Sequence, residues 1–167
     1  MTTISAEDPT TRLILRHIVA TIAYRSAAAV RDTPREFGTY RQTPASPSSA
    51  EILAHMGDLM EWVLRLLGGE WQWTEAESLP WEEEIERFFR TLKAVDDELA
   101  SGTPIKWDPA RLIQGGLADA LTHTGQLAML RRLSGHPMKS QSYARAEVVV
   151  GRVGLDQAAP VRRHEFD

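Results

Sequence analysis

The 167-residue sequence contains no cysteine. This excludes disulfides, thiolate metal ligands and a cysteine nucleophile. Any thiol that reacts here must arrive on a small molecule. The lack of cysteine suits the cytoplasm, which is the expected location. The opening stretch MTTISAEDPT has no charged region followed by an apolar run, so no signal peptide is expected. No stretch reads as long and apolar enough to span a bilayer. Internal repeats and low-complexity tracts are missing, and no run alternates with period two beyond the short segment 147–153. The net charge of -4 supplies no basic field, so neither nucleic acid nor a membrane surface is an expected partner.

The composition that remains is that of an ordinary globular chain. At 43% hydrophobic and 25% charged residues, it has enough apolar surface for one domain over 1–167. Helical periodicity accounts for most of it. Asp8 and Pro9 open a first helix that runs to about Val30, with Ile14, Ile18 and Ile22 as its inward stripe. Residues 35–47, rich in Pro, Thr and Ser, form a long connection. Ser48 and Glu51 make a capping box for a second helix, which Gly68 and Gly69 end. Its apolar face reads Ile52, His55, Leu59, Trp62, Leu66. After a loop with Trp71 and Trp73, Pro80 and three glutamates open a third helix with the stripe Ile85, Phe88, Leu92, Val95, Leu99. The fourth helix starts at Asp108–Pro109 and runs to about Ser134, before Gly135. Leu112, Gly116, Asp119, His123, Leu127 and Leu130 share roughly one of its faces. Four such helices bury their stripes best as an all-α four-helix bundle. The run Val148-Val149-Val150 predicts a tail that packs on the bundle, within a segment 143–150 that reads as a brief helix or as extended chain.

Three polar residues interrupt the inward stripes. Asp119 and His123 lie at i, i+4 and project from one helical face, and His55 interrupts the second helix in the same way. An inward carboxylate is costly unless it is paired or bound to a cation. Two imidazoles and a carboxylate from two helices suit one divalent metal ion: zinc, iron(II), manganese or nickel. The plainer alternative is an Asp119–His123 ion pair beside a core histidine at position 55.

Around these residues the pattern leaves paired readings. Gln126 either hydrogen-bonds a ligand or bound water, or is a partly exposed helix residue. Trp62 either walls a pocket or packs in the core. Glu51 caps its helix rather than binding metal, and Asp58 is a solvated or bridging carboxylate unless it orients His55. Trp71 and Trp73 form a lid or cover the bundle end. Tyr143 is a candidate to cap the site from the tail. Arg131 and Arg132 favour the helix dipole or meet an anionic group of a substrate. His17 reads as structural, and His136 and His164 carry no assigned role.

The segment DALTHTGQLAMLRRLSGHP, with His55 in AEILAHMGDLMEWVL and the tail YARAEVVVGRVG, resembles the DinB-like family over most of the chain. The resemblance implies an up-down-down-up bundle with a long crossover between helices two and three. It also implies a metal site made of His55, Asp119 and His123. Many members have three histidines, and Asp119 stands where the middle one would be. Relatives include thiol-dependent transferases and isomerases that use an external low-molecular-weight thiol, and proteins called metal-dependent hydrolases. The functions to be weighed are therefore a metal-dependent S-transferase or isomerase, a hydrolase using metal-bound water, and a non-enzymatic metal-binding or structural bundle. For the enzymes the partner is a small-molecule substrate. Homodimerisation through the first and third helices or the tail is open.

Overall fold

The computed structural model describes residues 5–6 and 8–160. His164 lies outside them. Helix α1 spans Pro9–Val30, α2 Ser49–Leu67 and α3 Trp81–Ala100. The fourth rod is interrupted: α4, Pro109–Leu112, passes through a π-helical turn at Ile113–Leu117 into α5, Ala118–Leu133. No strand occurs among the described residues.

The caps act as their sequences dictate. Asp8 Oδ1 accepts from the Thr10 N–H at 2.8 Å. Ser48 and Glu51 form the reciprocal box: the Glu51 N–H donates to Ser48 Oγ at 3.3 Å and the Ser48 N–H to Glu51 Oε2 at 2.6 Å. Each bond satisfies a donor that the helix start leaves without an intrahelical partner.

Helix α1 packs on α3 and α5, and α2 packs on the same two. Polar contacts fix the directions. Arg12, near the start of α1, donates to Leu99 O near the end of α3, whereas Trp81 at the start of α3 donates to Thr33 just past α1. Arg87, early in α3, reaches Ala54 in the first half of α2 and Asp58 at its middle, and Lys106, past the end of α3, donates to Leu67 O at the end of α2, so these two helices run parallel. Ser26 meets Thr124, and Arg131 meets Ala28, so α1 and α5 also run parallel. Residues 68–80 therefore return along the bundle between the parallel helices α2 and α3. Leu53, Met56, Met60, Phe88, Leu92 and Leu127 fill the centre.

Four sequence expectations are corrected. Ile14 is 50% exposed, and the buried line of α1 is Leu15, Val19, Ile22, Ser26. Steps of i+4 precess by about 40° around a helix of 3.6 residues per turn, so Ile14 and Ile22 cannot share one narrow seam. Helix α1 is also long and apolar enough to cross a membrane by length and composition, with a mean hydropathy of 1.3 over its best window. In the bundle 56% of that window is buried, because α1 packs on two neighbours and carries Arg16 in a bidentate pair with Asp96. In the tail, Tyr143–Arg145 is a single 3-10 turn and Val149 is exposed; Val153, Gln141 and Gln157 are the residues that bury. Extended chain turns alternate side chains outward, so three consecutive valines cannot all pack. The fourth correction is the interruption of the fourth helix.

Candidate metal centre

Helix α5 reaches α2 through two glycines. Gly115 has non-helical backbone angles, φ -91° and ψ -114°, where α4 bends into the π turn. A Cβ on Gly116 would lie 2.6 Å from Val63 Cγ2 and 3.3 Å from Leu59 O. Only a residue without a side chain lets this turn lie against α2. Asp119 follows one helical turn later, on the side that faces His55. π turns of this kind recur at functional sites.

There the three predicted residues converge. Single donor atoms of His55, Asp119 and His123 all lie within 4.8 Å of one another. His55 Nε2 is 3.7 Å from Asp119 Oδ2, and His123 Nε2 is 3.5 Å from Asp119 Oδ1. Both separations exceed a sound N–H···O hydrogen bond. Among the described residues no Lys or Arg pairs with Asp119. The imidazoles meet edge to face, with ring centroids 4.7 Å apart.

Gln126, the predicted neighbour, hydrogen-bonds His123: its Oε1 lies 2.7 Å from Nδ1. An amide oxygen only accepts, so Nδ1 donates, and the neutral ring then presents the Nε2 lone pair to the site. That lone pair faces a carboxylate oxygen, and a second imidazole nitrogen stands on the carboxylate's other oxygen. Three electron-rich atoms gathered around one point without mutual bonds fit a cation between them. The group can hold one metal ion. Its side chains remain 34%, 46% and 21% exposed in chain order, which leaves one flank open to solvent.

The other candidates divide. Trp62 is half-buried and packs against the core, and its ring meets Trp71 and Trp73 edge to face at 5.2 and 5.9 Å. Trp73 in turn packs on the His55 ring at 5.7 Å. Tyr143 is corrected. It lies over the Arg25 guanidinium, 4.1 Å from ring centroid to Cζ, on the outer face of α1. The tail runs along α1, whereas the triad lies between α2 and α5, so the ring has no contact with it. Arg131 is buried and donates to the carbonyls of Ala28, Ala29 and His136, fastening the end of α5 to the end of α1. Burial pushes its guanidinium below the ordinary value, partly opposed by Asp32. Arg132 donates within its own helix to Ala128 O, and exposed His17 accepts at its carbonyl from the Thr21 hydroxyl.

Asp58 is a bridging carboxylate, as one of its readings has it, and is neither solvated nor bonded to His55. It sits 3% exposed in a cluster turned toward α3, about 60° around α2 from His55. Arg87 Nη1 donates to Asp58 Oδ1 at 3.0 Å, Arg87 Nε to Glu84 Oε1 at 2.7 Å, and Arg87 Nη2 to Ala54 O at 2.7 Å. Burial lowers the Arg87 pKa, but bonds and charges from Glu84 and Asp58 outweigh it and hold the guanidinium above its usual value. The remaining carboxylate oxygens accept from the N–H groups of Ala76 and Leu79. The cluster thereby pins the 68–80 connection to both helices. Sequence reasoning missed it; the i, i+3 pair Glu84–Arg87 was the one available signal. Beside His55, the pinned connection leaves a groove of about 170 Å³ that Glu75 also lines.

No family model, no curated protein and no solved structure matches this chain.

Proposed function

We propose that this protein is a divalent-metal-dependent enzyme of the DinB-like family that acts on a small molecule, with His55, Asp119 and His123 as the ligands. The observation that carries the reading is the set of three unbonded donor atoms around one point, with a flank open to solvent. A structural metal site is closed by protein donors, whereas a catalytic one keeps a position for a substrate. The open flank therefore favours an enzyme over a purely structural metal.

A divalent ion held there would supply Lewis acidity, lowering the pKa of a thiol or water that reached it. Transfer or isomerisation with an external low-molecular-weight thiol is the preferred chemistry. The side chains that would orient a water are largely committed: Gln126 to His123, Glu51 to its helix cap and Asp58 to Arg87. In the thiol reading His55, Asp119 and His123 would hold the ion, Gln126 fixes the tautomer of His123, and the thiol proton would pass to solvent at the open flank. A second reading, hydrolysis, is favoured by one observation: Glu75 lines the groove beside His55 and has no hydrogen bond among the described residues. Glu75 would then take the proton from the attacking water.

Metal analysis of tag-free protein after reconstitution tests the common core. The expected result is about one equivalent of zinc, nickel, manganese or iron, with His55→Ala, Asp119→Ala and His123→Ala each weakening affinity more than about a hundredfold. Less than about a tenth of an equivalent for every one of these metals would overturn it. Ester turnover without added thiol, abolished by Glu75→Gln, would select the hydrolase.

A further inference from the structure

Four of the five tryptophans adjoin the triad in one chain of ring contacts. It runs from His55 to Trp73, Trp62, Trp71 and Trp107, each step between 5.2 and 5.9 Å. Two of these rings are wet: Trp71 is 67% and Trp73 41% exposed. Indoles that merely seal a bundle end bury their area; these leave large faces in water beside an open metal centre. Trp62 adds a buried Nε1 with no hydrogen-bond partner, an orphan donor among these rings.

The backbone that carries the exposed pair is built as a strap. It is anchored before Trp71 by the bonds Glu70 N–H to Arg65 O and Lys106 N–H to Leu67 O. It is anchored after Glu75 by Ala76 N–H to the buried Asp58. Between these points, residues 71–75 make no backbone hydrogen bond among the described residues. The segment is thus held at both ends and supported in the middle by its own rings. Edge-to-face contacts between indoles are weak and exchangeable, worth little more than the contact a ligand ring would offer in their place.

We infer that this strap is the substrate-recognition element of the site, and that it selects a ligand whose metal-binding donor is joined to a planar aromatic group. The inference rests on the metal reading above. The donor end of the ligand would enter the open flank of the triad. Its ring would pack on the exposed faces of Trp73 and Trp71, at the distance from the His55 ring that one bond or two from the donor allows.

Two probes with the same chelating head separate the contributions: acetohydroxamate, which has a methyl group, and benzohydroxamate, which has a phenyl ring. Their affinities are measured by calorimetry on full-length protein loaded with Zn²⁺. The ring is expected to improve affinity about tenfold in the wild type. In Trp71→Ala/Trp73→Ala the advantage should fall to about twofold or less, and Trp73→Phe should retain most of it. Zn²⁺ affinity should stay within about threefold in all three proteins, because neither indole is a ligand. If Zn²⁺ binds but the ring advantage is absent, or survives in the double variant, the strap inference alone is wrong. If Zn²⁺ does not bind the wild type, the metal reading fails and this inference falls with it.

Discussion

Helix α2 carries two polar clusters three residues apart, one turned toward α3 and the other toward α5, and they are built to different rules. Toward α3, Asp58 meets Arg87 and Glu84 in a site closed to water, where each carboxylate oxygen and all three types of guanidinium nitrogen have a bonded partner. Toward α5, His55 meets Asp119 and His123 in a site that is open and has no cationic side chain. Both clusters gather negative or electron-rich atoms at short range, but only the first is buried. The first carries its cation on α3. The second leaves the place of a cation to be filled from outside. The same helix therefore uses one cluster to hold the fold and the other to bind, and neighbouring residues His55 and Asp58 belong to different tasks.

The contrast can be broken first on the closed side. Replacing Arg87 by Met leaves two buried carboxylates without their counter-charge, which costs about 3–5 kcal/mol. Thermal unfolding of the metal-free protein should show a drop of about 10 °C. Asp119→Ala in the same metal-free state should change stability by less than about 1 kcal/mol, since its carboxylate is half exposed and meets the two histidines only at 3.5 and 3.7 Å. Comparable losses for the two variants would show that the clusters do not differ in kind.

Gly116→Val tests what joins α5 to the open cluster. A branched side chain must displace Val63 and the Leu59 carbonyl, at a cost of about 2–3 kcal/mol. Urea denaturation reads that cost, and metal titration should show weaker binding, because Asp119 and His123 move with the turn. Unchanged metal affinity would separate the π turn from the site. Gln126→Ala should be gentler. It leaves stability intact and lowers metal affinity about tenfold by releasing the tautomer of His123.

The smallest effect belongs to neither cluster. Glu51 is held below its ordinary value of 4.5, first by the Ser48 backbone N–H and then by the Ser48 side chain. A depressed folded value means that the stabilisation is present above about pH 4.5 and is lost as the pH falls through the lower folded value. The stability difference between wild type and Glu51→Gln should therefore shrink on acidification below that point. It should amount to a few tenths of a kcal/mol, because the carboxylate is 46% exposed and screened. A constant difference between pH 6 and pH 3 would show that the carboxylate charge is not what strengthens the cap.

The features legible in the sequence share one property: the groups involved are close along the chain. The starts of α1 and α2 follow from Asp8, Pro9, Ser48 and Glu51, where the capping bonds span two or three residues. The Asp119–His123 pairing follows from helical spacing in the same way. His55 was legible only as an exception to an apolar stripe. The features missed all depend on a partner far along the chain. Asp58 reads equally as solvated or bridging until α3 brings Arg87 against it. The interruption at Gly115 and Gly116 makes no sense without the Val63 wall. Tyr143 has the chemistry to cap a site, but the tail takes it to Arg25 instead.

The sequence by itself determined four helical segments, caps at their starts, and three polar side chains on the stripe faces of two of them, which the bundle leaves partly exposed. It could do so because helix geometry is local: a 3.6-residue period and a hydrogen-bonding partner within a turn are written in neighbouring residues. Which residues meet across helices was decided by the packed bundle. Contacts such as Asp58 with Arg87, Trp73 with His55, and Asp119 with both histidines depend on the angle and depth at which helices lie against one another. That depth is set by side-chain volume at sites such as Gly116, far in sequence from the groups it brings together.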